Sequence, residues 1–595
     1  MKKITALFLA LIMAFSVFSM LGYADGYPVT AYIADYDQVE DDCDRVIDWY
    51  EINGKYYFFI PASIDYETAK LYIPCSYYVD GVKYKEPETL ATVFGDKTEV
   101  KIEADGWAYD VVIIKESKVA SVFITTESGN LDYIHAEKGN EETGFIEIVD
   151  ENGVAVYDGK LDTIKGRGNS TWQMEKKPYN IKLAKKTNLF GMGKSKKWSL
   201  IANHSDDSLM RNVLAYKAAQ NAGMPYSPQF TPVDVYINHE YMGSYLLTTR
   251  VGIDGSSVDI DDLEEATEEV NEKDLDTYPR GGVYGKYSGL LENTMKWVEI
   301  PNNPADITGG YIIEMELANR YVDEVSGFVT SRSQPFTMKS PEYATKAQME
   351  YISSYYQQFE DAVFDGKSIE EIGKFCNAKS LAQMYLINEW CSNMDASLTS
   401  TYFYKPVGDT LYAGPVWDFD IAFGNSDSNR YGNEYNNASK WVICYNRQYR
   451  NTIFGSWDID EQPTVYNEIT KNKGFQQLAK QVWDTEMKSA VESTVTWLKT
   501  EYYPAVEGSA IANAIRWNIF GTKNVDEIKT KFAAAVSEIT TFATTKAGVI
   551  TAGIGTVQTD APETNFVLKI FKKVLVGVND IFEKAVVLFG LENKE

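Results

Sequence analysis

The chain has 595 residues and a formal net charge of −28 at pH 7, with 44% hydrophobic and 13% aromatic residues. So many apolar and aromatic residues exclude a disordered chain, and the strong negative charge argues against a general nucleic-acid binder. The five cysteines have no CxxC spacing and the three histidines form no HExxH motif, so we expect neither a zinc ribbon, a disulfide scaffold nor a histidine-ligated zinc centre.

The first residues have the features of a secretory signal peptide. Lys2 and Lys3 precede an apolar run over residues 4–21, and small residues follow at Gly22 and Ala24. This order of charged, apolar and small segments is typical of a signal peptide that is removed. We therefore expect a signal peptide over residues 1–24 and a secreted or cell-surface location. A membrane-spanning start is the alternative, because the run is long enough to cross a bilayer.

Residues 25–116 alternate short runs of aromatic and β-branched residues with turn signals. The run at 55–60 is one example, and the turns are marked by the pairs Asn53-Gly54, Asp80-Gly81 and Asp105-Gly106. Such pairs favour tight hairpins, because both central residues of the turn adopt positive φ. The pattern predicts a small β-sandwich-like domain over residues 25–116.

Residues 117–547 carry strand signals first and helical patterns later. We expect a helix at 208–221, then strands at 233–237, 243–248, 309–316 and 335–338, and helices at 347–364, 380–391 and through most of 475–547. Strands followed by helices predict an α+β domain with two lobes and a cleft between them.

Two further segments differ in composition from their surroundings. Residues 254–276 are rich in Asp and Glu and are expected to form a solvated excursion. Residues 548–595 are expected to be a linker followed by an amphipathic helix at 565–590, with lysines and acids among apolar residues. That helix would either dock on the protein or contact a membrane surface or the cell wall.

A basic segment stands out in this acidic chain. Residues 165–197 contain ten Lys and Arg residues against the single acid Glu175. The segment is interrupted by glycines, which let backbone N–H groups approach an anion closely: Gly166, Gly168, Gly191 and Gly193. Phosphate binding is therefore one interpretation, and a solvated basic face is the other.

An acidic cluster lies more than 200 residues further along. It comprises Asn388, Glu389, Asn393 and Asp395 near the end of a predicted helix, followed by the sequence Asp418-Phe419-Asp420 after an apolar run. Carboxylate and amide oxygens suit Mg²⁺ or Mn²⁺, whereas helix capping and turn formation are the structural alternative. A basic cradle together with a carboxylate metal site is the division of roles found in kinase-type phosphoryl transfer.

Seven ordered blocks resemble the spore coat protein H (CotH) kinase family. They are KGRGNSTW (165–172), KKPYNIKL (176–183), LFGM (189–192), KKWSLIANHSDDSLMRN (196–212), YMGSYLLT (241–248), NEWCSNMD (388–395) and AGPVWDFDIAFGN (413–425). The resemblance spans about residues 117–520. It implies an atypical protein-kinase-like bilobal fold and phosphorylation of serines on spore-coat or surface proteins, with ATP and Mg²⁺ or Mn²⁺ as cofactors.

The resemblance also implies roles for individual residues. Asp395 would orient the attacking hydroxyl, Asp418 would be the principal metal ligand with Asp420 beside it, and Lys182 would hold the nucleotide phosphates. The remaining nucleotide-side residues that it implies are Arg167, Asn169 and Ser170 over the nucleotide, and Arg211 with Asn212 as support from the first helix. The chain departs from the pattern at Ser400, where a kinase catalytic loop places a metal-binding Asn, and at Thr249, where many relatives have Glu.

Three functions compete at this point. The first is a secreted Ser/Thr protein kinase that uses Mg-ATP and acts on Ser- and Thr-rich proteins. The second is a non-catalytic secreted surface or adhesion protein that retains the fold. The third is a glycosidase with Asp395 and Asp418 as its acid and base, a chemistry in which the lysine-rich segment would have no role.

Overall fold

The structure, a computed structural model, describes residues 29–35, 45–283, 294–396, 398–427, 433–445, 447–451 and 457–556. The predicted signal peptide and the predicted C-terminal helix lie outside these residues. Internal contacts divide the chain into two compact units. The first comprises Met1–Thr125, Phe145–Gly159 and Asp234–Gly243, and the second comprises Thr126–Gly144, Lys160–Val233 and Ser244–Glu595. Among the described residues, we find no helix whose length and hydropathy would let it cross a membrane.

In the first unit, short strands and one helical turn form the described residues up to 115. Their bounds are β1 (Tyr32–Ala34), β2 (Val46–Asp48), β3 (Tyr50–Ile52), β4 (Lys55–Ile60), β5 (Lys70–Tyr72), β6 (Tyr77–Val79), β7 (Val82–Tyr84), β8 (Glu88–Thr89), α1 (Leu90–Val93), β9 (Glu99–Ala104) and β10 (Trp107–Lys115). They form two sheets, in the orders β2-β1-β5-β8 and β3-β4-β10-β9-β6-β7. The strands β4 and β10 run parallel, and their neighbours pair antiparallel.

The hairpins of this unit form where the sequence predicts them. Positive φ occurs at both residues of each predicted turn: Asn53 and Gly54, Asp80 and Gly81, and Asp105 and Gly106. Between the turns the strands bury an aromatic core that includes Phe58 and Phe59. A domain boundary at residue 116 stays a prediction.

The next stretch carries the strands that lead to the site. Its elements are β11 (Ala120–Thr126), α2 (Asp132–Ala136), β12 (Glu141–Val149), β13 (Ala155–Gly166), β14 (Tyr179–Asn188), β15 (Lys194–Ile201), α3 (Arg211–Asn221), β16 (Phe230–Ile237) and β17 (Glu240–Thr249). Within the second unit, β13 pairs with β14, β14 with β15, and β15 with β17, all antiparallel. The side chains of Tyr179, Ile181 and Trp198 on these strands are buried.

A second sheet of the second unit follows. The strands of this sheet and two short helices near them in the sequence are α4 (Leu263–Glu269), β18 (Arg280–Gly282), β19 (Met295–Val298), β20 (Tyr311–Met315), α5 (Ala318–Tyr321), β21 (Gly327–Val329), β22 (Pro335–Ser340), β23 (Thr401–Lys405) and β24 (Tyr412–Ala413). The strand order is β18-β19-β21-β22-β20-β23-β24. The central strand β20 is buried throughout, so it can present residues at its end to the site without moving.

The acidic stretch at 254–276 is mostly exposed or half-buried, as its composition predicts. It is also anchored to the protein. Asp262 caps α4 by accepting from the N–H groups of Glu264 and Glu265, and Leu263 is buried. Leu275 packs with Val298 and Ile300 in a small apolar core. A few spaced apolar residues thus fix a segment whose acids are mainly in contact with solvent.

Helices dominate the remainder. Their bounds are α6 (Lys346–Phe364), α7 (Ile369–Ile372), α8 (Ala378–Cys391), α9 (Val465–Ile469), α10 (Lys473–Val482), α11 (Lys488–Trp497), α12 (Tyr503–Trp517) and α13 (Val525–Gly553), with the hairpin β25 (Arg447–Asn451) and β26 (Trp457–Pro463) before α9. Helix α6 begins with a capping box between Thr345 and Gln348, and Asn377 caps α8. The expected α+β class is confirmed.

Candidate active site

A cleft of about 770 Å³ lies in the second unit, and every residue that lines it belongs to that unit. Its walls come from the loop between β13 and β14, the segment after β15, the end of β20, and the segments that follow α8 and β24. Two parts of the sequence that lie more than 200 residues apart, the basic segment and the acidic cluster, therefore share one concave surface.

Most of the residues predicted from the sequence lie in this cleft. The lining residues include Arg167, Asn169, Ser170, Asn212, Asp395, Asp418 and Asp420. Arg211 is buried next to the cleft, where its guanidinium pairs with Asp206 and donates from Nε to the backbone oxygen of Ala422 (3.0 Å). Thr249 does not line the cleft; it pairs with Trp198 and accepts from the N–H of Gln229 (3.0 Å).

The end of helix α8 places Asp395. The helix ends at Ser392 in the left-handed conformation, and the side-chain amide of Asn393 donates to Asn388 Oδ1 (3.1 Å). The N–H of Asp395 then donates to Asn393 Oδ1 (3.2 Å). Backbone and side-chain hydrogen bonds thus fix the turn that carries Asp395 into the cleft, where its side chain is half-buried.

Asp418 occupies an unusual backbone conformation. Its φ is +64°, a region that non-glycine residues seldom adopt and that often marks functional sites. The hydroxyl of Ser400, itself at positive φ, donates to Asp418 Oδ2 (3.2 Å). The N–H of Phe419 donates to Asn212 Oδ1 (2.8 Å). Helix α3 therefore holds the turn that presents Asp418, as expected for Asn212.

The two sides of the cleft meet at Trp417. Its ring stacks on Tyr216, with ring centroids 6.0 Å apart, and the guanidinium carbon of Arg167 lies 5.5 Å from its ring centroid. Arg167 thus reaches the residue next to Asp418, so positive charge lies beside the acidic turn. This contact links the basic loop to the acidic turn within one site.

The carboxylates of the cleft repel one another. The pKa of Asp420 is raised well above its ordinary value, first because the group is removed from solvent and then because Asp418, Asp395 and Asp206 are negative; Arg167 opposes this effect. A cation bound among these groups would relieve the repulsion. The electrostatics therefore favour a divalent ion at this end of the cleft.

The residues present fit such an ion. No complete cluster of three acidic, histidine or cysteine ligands occurs in the described part of the chain. Mg²⁺ at kinase sites, however, is held by one or two carboxylates and completed by substrate phosphates and water. Asp418 and Asp420 supply the hard oxygen donors that this arrangement requires, and both line the cleft.

Lys182 is not among the residues that line the cleft. It is exposed on β14 opposite Lys197. Asn180, on the same face of the strand, does line the cleft. Two residues of a strand advance about 7 Å, which places Lys182 beyond the lining. A role of Lys182 in nucleotide binding stays a prediction.

Sequence analysis missed Lys176, which lines the cleft from a fully buried position. Its Nζ donates to the backbone oxygen of Ala202 (2.9 Å), to that of Ser244 and to Asn513 Oδ1 (2.7 Å). These three acceptors are uncharged, and together they hold the ammonium in place. Its place in the block KKPYNIKL, between the glycine-rich loop and β14, is the signal that could have identified it.

Sequence analysis also missed a wall of paired charges at the end of β20. Lys339 pairs with Glu314 (2.8 Å), and Arg320 pairs with Glu316 (3.4 Å). Glu316 also accepts from the hydroxyl of Thr399 (2.7 Å). Burial, reinforced by the charge of Glu314, raises the pKa of Glu316 to about 7. These residues lie outside the seven blocks, and their spacing in the sequence gave no signal.

The fold and the site together define an α+β protein with a cleft in which a basic, glycine-containing loop faces a cluster of aspartates. Comparison with protein families agrees with this class. The family described as CotH kinase protein matches residues 164–550, which is most of the chain. The protein belongs to the CotH kinase family. A search of curated proteins finds no match to it.

Proposed function

We propose that this protein is a kinase-like enzyme that transfers the γ-phosphoryl group of ATP, with Mg²⁺ or Mn²⁺, to Ser or Thr hydroxyls of an acceptor protein. The observation that carries the proposal is the shared cleft, where Arg167 lies against Trp417 beside Asp418. Phosphoryl transfer depends on positioning and on charge stabilisation. A cleft with cations on one wall and carboxylates on another can provide both.

The nucleotide phosphates would lie against the loop between β13 and β14. Arg167, Asn169 and Ser170 line the cleft there, and Lys138 donates to Asn169 Oδ1 (3.1 Å). The buried ammonium of Lys176 adds positive charge behind the loop. An arginine fork can bind two phosphate oxygens at once, so Arg167 is assigned the principal phosphate contact.

The acidic turn would bind the metal. Asp418 and Asp420 are assigned as its ligands, and Ser400 Oγ, which already contacts Asp418, lies where a kinase places a further ligand. When bound, the ion neutralises phosphate charge as it develops in the transition state. The hydrogen bond from Phe419 to Asn212 keeps the turn in place.

Asp395 would receive the acceptor hydroxyl. The hydroxyl oxygen bonds to the γ-phosphorus, the bond from that phosphorus to the bridging oxygen of ADP breaks, and the hydroxyl proton passes to Asp395. The half-buried side chain of Asp395 remains open to the cleft, as an acceptor site requires.

The same proposal includes the arrangement and location of the protein. We assign the strand-rich part around β13 to β17 and the helical part from α6 to α13 to the two lobes of a kinase-like fold. The N-terminal β-domain would not supply catalytic groups, in agreement with a cleft lined by residues of the second unit. Secretion, acceptors of the spore-coat or surface type and a surface-contacting C-terminal helix belong to the proposal as expectations from the sequence.

Replacing the two aspartates separately tests the proposal. Asp418→Asn should weaken metal-dependent nucleotide binding and abolish transfer together. Asp395→Asn keeps size and hydrogen bonding, so transfer should fall by roughly 10² to 10⁴ while affinity for Mg-ATP is retained. Asp526→Asn, an exposed site in the first turn of α13, is the matched control.

The measurements are nucleotide titration and incorporation of label from γ-labelled ATP into a Ser-rich acceptor or the protein itself. If both variants lose nucleotide binding equally, Asp395 is a metal ligand and its assigned role is wrong. If no labelling occurs with Mg²⁺ or Mn²⁺, the protein is the non-catalytic surface protein that shares this fold.

A further inference from the structure

A strip of positive charge extends from the cleft along β14 and β15, and we name it the basic ribbon. It consists of Lys182, Lys185, Lys186, Lys194, Lys196 and Lys197. Five of these side chains are exposed and Lys196 is half-buried. None of the six forms an ion pair with another residue that the structure describes, whereas the nearby Lys165 pairs with Glu141 (3.1 Å).

The register of the two strands concentrates this charge. Lys182 lies directly opposite Lys197, and like charges at facing positions destabilise a sheet. Two residues before Lys182, Asn180 pairs with Ser199, and Asn180 lines the cleft. The register shifts between Lys182 and Thr187, so that residues 182–188 of β14 face only residues 194–197 of β15, a length of about 10 Å. The basic ribbon therefore begins beside the cleft and leads about 10 Å away from it.

One carboxylate that the structure describes lies against the ribbon. The hydroxyl of Ser195 donates to Asp254 Oδ2 (2.7 Å), and Oδ1 of the same carboxylate accepts from the N–H of Ser256 (2.7 Å). Solvation alone accounts for isolated surface lysines. Six of them on one pair of strands, divided between its two faces because successive side chains alternate, create a local field opposite in sign to the net charge of −28, which attracts anionic ligands.

We propose that the basic ribbon docks an acidic segment of the acceptor protein, so that the enzyme selects Ser or Thr residues accompanied in the chain by Asp and Glu. The inference rests on the proposed phosphotransfer function, because it places the acceptor hydroxyl at Asp395. An extended acceptor chain leaving the cleft past Asn180 meets the ribbon two residues further along β14, at Lys182. Its carboxylates then pair with lysines that otherwise repel one another.

The charge of the whole protein favours a short acidic polypeptide over a long polyanion. A nucleic acid or an anionic wall polymer extends its charge far beyond about 10 Å and would be repelled by a protein whose net charge is −28. A polypeptide can confine its acidic residues to the length of the ribbon.

The experiment compares two acceptor peptides that share a Ser-containing half and differ in the other half, which is rich in Asp and Glu in one and in Asn and Gln in the other. The test variant is Lys185→Glu with Lys186→Glu, which are exposed and distant from the cleft lining. The control variant is Lys473→Glu with Lys499→Glu, two exposed lysines in the helical part. Both variants change the net charge equally.

With the wild-type protein we expect a KM at least about tenfold lower for the acidic peptide than for the neutral one. The ribbon variant should raise the KM of the acidic peptide about tenfold and leave its kcat, the neutral peptide and the KM for ATP unchanged. The control variant should leave all of them unchanged. At about 1 M salt, where the Debye length is about 3 Å, the preference should disappear.

Direct binding separates this inference from the proposed function. Fluorescence anisotropy of the labelled acidic peptide, without nucleotide, should show binding that the ribbon variant loses. If peptide binds in this way but no transfer is detected, docking stands and the proposed function fails. If transfer occurs with equal KM for both peptides, the docking inference fails. A change in the KM for ATP alone, or equally tight competition by polyphosphate, also overturns it.

Discussion

Glu316 offers a quantitative test of how burial shapes this cleft. The residue is 4% exposed, and its Oε1 accepts from Thr399 Oγ1 (2.7 Å), from the N–H of Leu317 (2.7 Å) and from Arg320. Burial raises the pKa of Glu316 from its ordinary 4.5 to about 7. The proposed change is Glu316→Gln, which retains an oxygen where all three donors point and cannot ionise.

The expected effect follows from proton linkage. A raised pKa means that the stability contribution of protonated Glu316 is fully present below about pH 4.5 and is lost as pH rises through 7. Each tenfold change in proton affinity is worth about 1.4 kcal/mol, so the loss is about 3 kcal/mol. The variant should therefore match the wild-type protein near pH 4.5 and exceed its free energy of unfolding by up to about 3 kcal/mol at pH 8.5.

The assay is urea denaturation of both proteins at several pH values between 4.5 and 8.5, with the free energy of unfolding obtained at each. Glu501→Gln, at an exposed position in the helical part, controls for the loss of one negative charge. A difference between wild type and Glu316→Gln that stays constant with pH would refute the assignment of a raised pKa. So would an equal pH dependence for Glu501→Gln.

Three other lysines yield predictions of different severity. Lys176→Met should lower stability by about 2–4 kcal/mol and weaken ATP binding, because it removes the donor that three buried oxygens share. Lys182→Met, at an exposed site, should change stability by less than about 0.5 kcal/mol. Urea denaturation and nucleotide titration compare the two variants, and equal losses would contradict the distinction. Lys546→Met removes the cation that pairs with the buried carboxylate of Glu389 (2.6 Å). The free energy of unfolding should therefore fall by about 3–5 kcal/mol. Adding Glu389→Gln should recover part of that loss in a double-mutant cycle, and a double variant no more stable than Lys546→Met would contradict a pairwise interaction.

Several features were predictable from the sequence because local chemistry determines them. The turn at Asn53-Gly54 forms because both residues tolerate positive φ. Helix α8 begins after Asn377, whose side chain accepts from the N–H of Ser380. Short polar residues follow the end of the helix and form the turn to Asp395. Each of these turns and caps involves residues at most four positions apart. A short stretch of sequence therefore contains every residue that takes part.

Spaced blocks also predicted which residues would share a site. The basic loop around Arg167 and the aspartates Asp395, Asp418 and Asp420 carry complementary chemistry, and they line one cleft. Their distance along the chain did not obscure this, because the resemblance to a family links the blocks that its fold brings together. The match of residues 164–550 to the CotH kinase protein family agrees with that inference.

Only the tertiary structure distinguished the lysines of the basic segment. Lys176 and Lys182 belong to the same block, and nothing in their local sequence separates a buried cation from an exposed one. Lys176 is buried because Ser244 and Asn513, which lie 68 and 337 residues away, supply its acceptors. The sequence by itself therefore determined the chemistry available and the local turns and caps that carry it. Which charges are buried, paired or left exposed depended on long-range contacts, since burial is a property of the packed chain.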